Sequence, residues 1–268
     1  MTEANLSNRY KNELDAALAA ARQAGELALG YWRTGIAAEA KSDESPVTAA
    51  DRHCERLFVQ ELMARFPDDG ILGEEGAGKA AGEAGRRWII DPIDGTRDFV
   101  RGNRVWAQLV ALEEKGVVVV AVAHFPALGE TYWASQGGGA FRNGEPIRVS
   151  AITDPTQSVL CVNGFGAMHR HGFSAGLVDW MKQFWSVRSF GGILDVMLVC
   201  SGSAELWIEE TAAPWDLAVP KLIAEEAGAR FFNFDGQESI YGGNCIVCVP
   251  ALEPMARAFI GLAGGSGA

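Results

Sequence analysis

The run Trp88-Ile89-Ile90-Asp91-Pro92-Ile93-Asp94-Gly95-Thr96 constrains this chain more than any other stretch. A short apolar run leads into two carboxylates three residues apart, then into glycine and threonine, residues common where helices begin. Pro92 has no N–H to give to a sheet ladder and fixes its own φ, so a strand is expected to end at Asp91 and the chain to turn there. Such a turn can aim both acids into one cleft. Held together they repel, and each resists ionisation unless a divalent cation lies between them. Oxygen donors with no cysteine or histidine nearby favour magnesium, manganese or calcium over zinc. A helix starting at Gly95 and Thr96 would present bare N–H groups beside that metal, the arrangement that holds a phosphate. Metal and phosphate together point to phosphoryl chemistry. Read alone, Asp-x-x-Asp also fits a solvated turn that caps a helix.

With 268 residues, 48% of them hydrophobic and 21% charged, the chain can bury a large core, as one domain or as two halves packed into a unit. A net charge of −11 argues against a polymeric nucleic-acid partner or an anionic membrane surface, both of which need a basic face. No apolar run approaches the ~20 residues of a membrane span, and the polar start Met1-Thr2-Glu3-Ala4-Asn5 lacks a signal-peptide pattern, so the expected location is cytoplasmic. Five scattered cysteines do not make a disulfide framework, and Cys245-Ile246-Val247-Cys248 reads as a core strand rather than half a metal site. His169 and His171, without an acid at ligand spacing, read as a surface loop.

Apolar residues at Leu14, Leu18, Ala21, Gly25, Leu29 and Trp32 mark a helix over about 8–34. A second begins near Asp51, with Cys54, Phe58, Leu62 and Phe66 on one face, after a loop that contains Lys41. Residues 70–75 read as a strand ending in Glu74-Glu75, and 76–85 as a glycine-rich mobile loop. Strands are expected at 105–112 and 117–125 around a turn at 113–116, then at 130–134 and 140–149 with Asn143-Gly144 as a turn. Arg97, Arg101 and Arg104 follow the central motif closely enough for one of them to meet a phosphate. Beyond Asp154-Pro155, strands at 158–162, 186–189, 205–208, 229–232 and 245–249 alternate with helices near 173–184, 192–201, 216–227 and 251–262. The expected division is residues 1–152, a helix pair plus antiparallel sheet (α+β) carrying the metal site, and residues 153–268, an α/β half.

The string Asp-Pro-Ile-Asp-Gly-Thr after Trp-Ile-Ile resembles the signature of the inositol monophosphatase superfamily, magnesium-dependent, lithium-sensitive phosphomonoesterases. Two further elements resemble it: Gly73-Glu74-Glu75, and Trp215-Asp216-Leu217-Ala218 followed by Ala224-Glu225-Glu226-Ala227-Gly228. The resemblance implies the layered αβαβα sandwich of the inositol monophosphatase and fructose-1,6-bisphosphatase type, and a homodimer. It implies two or three Mg²⁺ held by Glu74, Asp91, the Ile93 carbonyl, Asp94 and Asp216. Catalysis would fall to Glu74 and Thr96, which orient the attacking water, and to Asp51, whose family counterpart reaches the water network. Gly95 and Thr96 would bind phosphate, Lys41 would sit on the loop that closes over the site, and Glu209 would contact the alcohol.

Segments around Val105-Trp106-Ala107, Trp133-Ala134 and Arg188-Ser189-Phe190-Gly191 are most similar to the histidinol-phosphate phosphatase branch. That branch often has Gly-Asp where this chain has Gly191-Gly192, an acid for which Glu209 or Asp195 would compensate in recognising a cationic alcohol, beside Arg188. Inositol 1-phosphate is the alternative substrate; a 3'(2'),5'-bisphosphate nucleotide, hinted at by Asp98 and Arg101-Gly102-Asn103, and a non-catalytic phosphate sensor fit less well. Haloacid-dehalogenase-like phosphatases carry Asp-x-Asp-Gly-Thr; here the acids are three apart with proline between, which disfavours an aspartyl-phosphate route.

Overall fold

The structure is a computed structural model that describes residues 9–34, 39–40 and 46–262. Lys41 lies outside the described residues. Helix α1 (Lys11–Thr34) is followed by a two-stranded ribbon of β1 (Glu39–Ala40) and β2 (Pro46–Val47), then by α2 (Ala49–Arg65). Next come β3 (Gly70–Gly73), β4 (Gly78–Lys79), β5 (Arg86–Asp94) and the short helix α3 (Thr96–Val100). Strands β6 (Ala107–Glu114), β7 (Val117–Phe125), β8 (Glu130–Ser135), β9 (Gly139–Arg142) and β10 (Glu145–Ile147) complete an eight-stranded sheet in the order β10-β9-β8-β7-β6-β5-β3-β4. All its pairs are antiparallel except β3 with β5.

A second sheet takes β11 (Val159–Asn163), β12 (Ser186–Arg188), β13 (Leu206–Glu209), β14 (Arg230–Phe232) and β15 (Cys245–Cys248) in the order β12-β11-β13-β15-β14. Here β12, β11 and β13 run parallel, while β15 opposes both its neighbours. Between these strands lie α4 (Leu177–Met181), α5 (Gly192–Cys200) and α6 (Pro214–Ala227), and α7 (Glu253–Phe259) ends the described chain.

Side-chain alternation along the strands sorts the elements into five layers. Trp88, Ile90, Val110, Leu112, Val120 and Val122 pack on α1 and α2. Ile89, Leu109, Ala111, Ala121 and Ala123 turn the other way, onto Val196 and Met197 of α5 and Leu217, Leu222 and Ile223 of α6. The far side of those helices meets Cys161, Trp207, Cys245 and Val247 of the second sheet. That sheet's outer face, Leu160, Val162, Leu206, Ile208 and Ile246, is covered by Leu177 and Trp180 of α4 and Ala256 of α7. The result is an αβαβα stack whose middle helices serve both sheets.

Four expectations need correction. The buried side of α1 is Ala16, Ala17, Ala20, Ala21, Ala24, Gly25 and Ala28, while Leu14, Leu18, Leu29 and Trp32 flank it half-buried. Small residues let the helix axis approach the sheet closely: a Cβ on Gly25 would stand 2.6 Å from His124 Cδ2. Strand β5 does not end at Asp91; pairing with β6 shifts register between Asp91 and Asp94 and resumes at Asp94 opposite Ala107, so Pro92 sits in a bulge where no ladder donor is required. The stretch 76–85 contains β4, paired with β3. The β6–β7 turn narrows to Lys115 and Gly116, both at positive φ (51° and 82°), the conformation that matches strand twist in a two-residue hairpin.

Candidate active site

Asp91 continues the Ile89 side of β5 and therefore points into the middle layer, towards α6. The bulge after it swings Asp94 to the same side. There Asp91, Asp94 and Asp216 bring carboxylate oxygens within 4.8 Å of one another. Asp216 occupies the first turn of α6, and its Oδ2 accepts the Ala213 N–H at 2.6 Å, so it caps the helix while its carboxylate faces the cluster. Glu74 follows β3; its N–H donates to the Ile90 carbonyl at 3.1 Å, one residue before Asp91, and its side chain hydrogen-bonds Asp91.

Burial dominates the electrostatics of this cluster. Asp91 is 2% exposed. Desolvation first, then the charges of Glu74, Asp94 and Asp216, hold its carboxyl well above the usual range. The same causes, burial and then Asp216 and Glu74, push Asp94 up to about 8. A site of this kind resists carrying all its charges at neutral pH, and a divalent cation reverses that penalty. The candidate donors are carboxylate oxygens and the neighbouring Ile93 carbonyl, with no cysteine or histidine lining the cleft among the described residues, a set that fits Mg²⁺.

Gly95, at φ +80°, turns the chain between β5 and α3, and a side chain there would press on the Val105 carbonyl. The turn places Thr96 Oγ1 3.2 Å from the Ile93 carbonyl and 3.3 Å from Asp51 Oδ1. Asp51 is fully buried. Its other oxygen accepts the Thr48 N–H at 2.8 Å, closing a capping box at the start of α2. Desolvation raises the Asp51 carboxyl, the Thr48 hydrogen bonds oppose this, and the charge of Glu74 adds to the rise.

Gly95 and Thr96, but not Asp51, line a cleft of about 320 Å³ that, among the described residues, six carboxylates, Glu74, Asp91, Asp94, Asp98, Glu209 and Asp216, share with one guanidinium, Arg97. Arg101 does not line it, and Arg104 is spent on the Ala127 carbonyl. Glu209 ends β13 on the inner face; its Oε2 accepts from Asn163 Nδ2 at 2.8 Å, and burial pushes its carboxyl up to about 8, against that hydrogen bond.

Two expected substrate contacts lie elsewhere. Arg188 is exposed on the edge strand β12, turned onto the Val187 carbonyl. Asp195 is buried beneath α5, where it accepts the N–H groups of Phe190 (3.0 Å) and Gly191 (3.3 Å) that precede the helix. Neither lines the cleft. Asn163, Thr211 and Gly192 do; sequence reasoning passed over Asn163, which sits in no chemical motif, and gave no role to Thr211, which lies between Glu209 and Asp216. His171, expected without an acid partner, bonds Glu210 Oε1 at 2.9 Å, a contact between residues 39 positions apart.

The profile of the inositol monophosphatase family matches residues 10–260. A histidinol-phosphatase of Chlorobaculum parvum is 41% identical over 88% of this chain and 91% of its own length. One from Mycobacterium tuberculosis is 36% identical over 88% and 92%. Among solved structures, an IMPase from Thermotoga maritima superposes with a TM-score of 0.84 at 32% identity, covering 93% of this chain and 96% of that one. No helix among the described residues is long and apolar enough to cross a membrane. By profile, kinship and the layered fold that gathers its acids into one cleft, the chain belongs to the inositol monophosphatase family, and it is a magnesium-dependent phosphatase of phosphate monoesters.

Proposed function

We propose that the chain hydrolyses histidinol phosphate, the monoester named by its relatives from Chlorobaculum parvum and Mycobacterium tuberculosis. The observation that carries this reading is the surplus of acid in the cleft. Glu74, Asp91, Asp94 and Asp216, with the Ile93 carbonyl, are the residues that would hold two or three Mg²⁺. Asp98 and Glu209 remain beyond that set on the walls of the same cleft. These two acids, Glu209 giving up its proton as a cation approaches, suit an alcohol that carries positive charge better than a neutral polyol.

Bound Mg²⁺ supplies the Lewis acidity that neutralises phosphate charge and eases ionisation of water. The chain does the rest. Thr96 Oγ1, donating to Asp51, keeps its lone pairs for the attacking water, and Glu74 holds the opposite side of that water. The backbone at Gly95 and Thr96 faces the phosphate, while Glu209, fixed by Asn163, meets the alcohol.

Hydrolysis of histidinol phosphate, inositol 1-phosphate and 3'-phosphoadenosine 5'-phosphate at equal concentration with Mg²⁺ tests the reading. The expected result is a kcat/KM for histidinol phosphate on the order of 100-fold above the others, the discrimination that charged groups left without partners impose. A preference for inositol 1-phosphate would overturn it. That alternative draws support from Gly192, which brings no acid to the cleft wall 3.5 Å from Asp94 Oδ1, measured from where its Cβ would stand.

A further inference from the structure

We propose that Glu55 is a positioning residue for the metal-binding arm that carries Glu74. Glu55 lies one helical turn beyond Asp51 on α2 and is almost wholly buried. Its Oε2 accepts the Glu75 N–H at 2.8 Å and its Oε1 accepts the Ala77 N–H at 2.9 Å. Both carboxylate oxygens are thus used on the turn that immediately follows Glu74. The turn is closed further by Gly73 N–H on the Ala77 carbonyl at 2.8 Å. Residue 73 has no room for a side chain because of this carboxylate: a Cβ would come within 2.2 Å of Glu55 Oε2.

The arrangement has a mechanical purpose. Glu74 shares the cleft with Asp91, Asp94 and Asp216, and where its carboxylate stands among them is set by the short stretch of backbone that carries it. Its backbone is pinned on one side by the Ile90 carbonyl and on the other by Glu55. Hydrogen bonds to a carboxylate are the strong kind, and two of them, from the N–H groups of Glu75 and Ala77, fix the turn that follows Glu74. Asp51, four residues earlier on the same helix, accepts from Thr96. The first two turns of α2 therefore brace both members of the water-orienting pair, Thr96 through Asp51 and Glu74 through Glu55. Glu55 does not line the cleft, and its bonds to Glu75 and Ala77 link it to the site through the turn after Glu74.

This inference rests on the reading that Glu74 ligates metal, and the experiment separates the two. Mn²⁺ binding to the substrate-free protein is followed by electron paramagnetic resonance for wild type, Glu74→Ala, Glu55→Gln and Gly73→Ala, alongside melting temperature and kinetics at saturating Mg²⁺. Glu55→Gln keeps the shape but replaces one acceptor by a donor facing an N–H. It is expected to weaken Mn²⁺ binding roughly tenfold, the scale of one lost charge-assisted hydrogen bond. KM for the phosphate ester should hold, and kcat should recover to within about threefold at saturating metal, since a displaced arm is drawn back by the ion. Gly73→Ala, which pushes the same carboxylate from outside, should reproduce the shift, and decides the matter should Glu55→Gln fail to fold. If Glu74→Ala weakens Mn²⁺ binding while a folded Glu55→Gln or Gly73→Ala does not, the role of Glu55 is overturned. Unchanged binding in Glu74→Ala would overturn the reading of Glu74 itself.

Discussion

Thr96 and Asp51, 45 positions apart, meet at 3.3 Å between the hydroxyl and Oδ1, joining the turn after β5 to the buried start of α2. The hydroxyl has one proton to give, and giving it to Asp51 leaves its oxygen an acceptor facing the cleft. Asp51→Asn should therefore lower kcat roughly 100-fold with KM little changed, the usual loss for a misdirected proton network. Steady-state kinetics would show it, and a kcat within a few-fold of wild type would rule out the relay.

Asp94 is held at about 8 by burial and by Asp216 and Glu74. Removing its charge relieves the cluster. Asp94→Asn should abolish phosphate release and metal uptake, yet melt several degrees above wild type in EDTA at pH 8 and above, an activity-for-stability exchange. Calorimetric scans with and without Mg²⁺ would reveal an equal or lower melting point if the repulsion is not there.

Acids raised in the folded state bind protons that the unfolded chain has already released. The stability they contribute is present below the ordinary carboxylate range and is lost as pH rises to about 8, the value for Asp94 and Glu209, with Asp91 acting in the same direction. The metal-free protein should melt progressively lower over that interval. Mg²⁺ should flatten most of the slope and leave the part owed to Glu209. Below pH ~8, metal binding should release protons, measurable by titration calorimetry in buffers of different ionisation enthalpy.

Asp98 lies close to where a Gly191 side chain would stand, 3.7 Å from Oδ2. If it meets the cationic part of the alcohol, Asp98→Asn should raise KM for histidinol phosphate about tenfold and leave inositol 1-phosphate unaffected. Equal changes for both esters would place its effect on the metal cluster, whose Asp94 it also perturbs.

Gly25 tests the scaffold. A methyl group there would stand 2.6 Å from His124 Cδ2 and 3.1 Å from Gln108 Oε1. Gly25→Ala should cost about 1–3 kcal/mol through overpacking, read by urea denaturation, with kcat unchanged in the folded fraction. No loss of stability would mean that α1 can lift from the sheet freely.

Much of this protein was legible in the chain because its information is local. Strand and helix order follows from periodicity, and the acid pair Asp91 and Asp94 lies three residues apart in one short motif. Glu74 and Asp216 were found through motifs that each span a few residues. Contacts made across layers carry no such mark. Asp195 and Glu209 look equally suitable as acids in sequence, yet α5 turns one beneath its own first turn and β13 turns the other into the cleft. The alanine face of α1 was invisible beside its leucines until the sheet it approaches was known. The bulge at Pro92 exists only because β6 pairs on both sides of it.

The sequence alone therefore singled out the acids that are candidates for a hard cation and the order of the elements around them, since backbone propensity and spacing act over a few residues. Only the tertiary structure decided which acids converge, which are consumed in holding loops, and that one helix, α2, braces both sides of the site. Those outcomes depend on how distant elements pack, and side-chain direction is set by the layer each element faces.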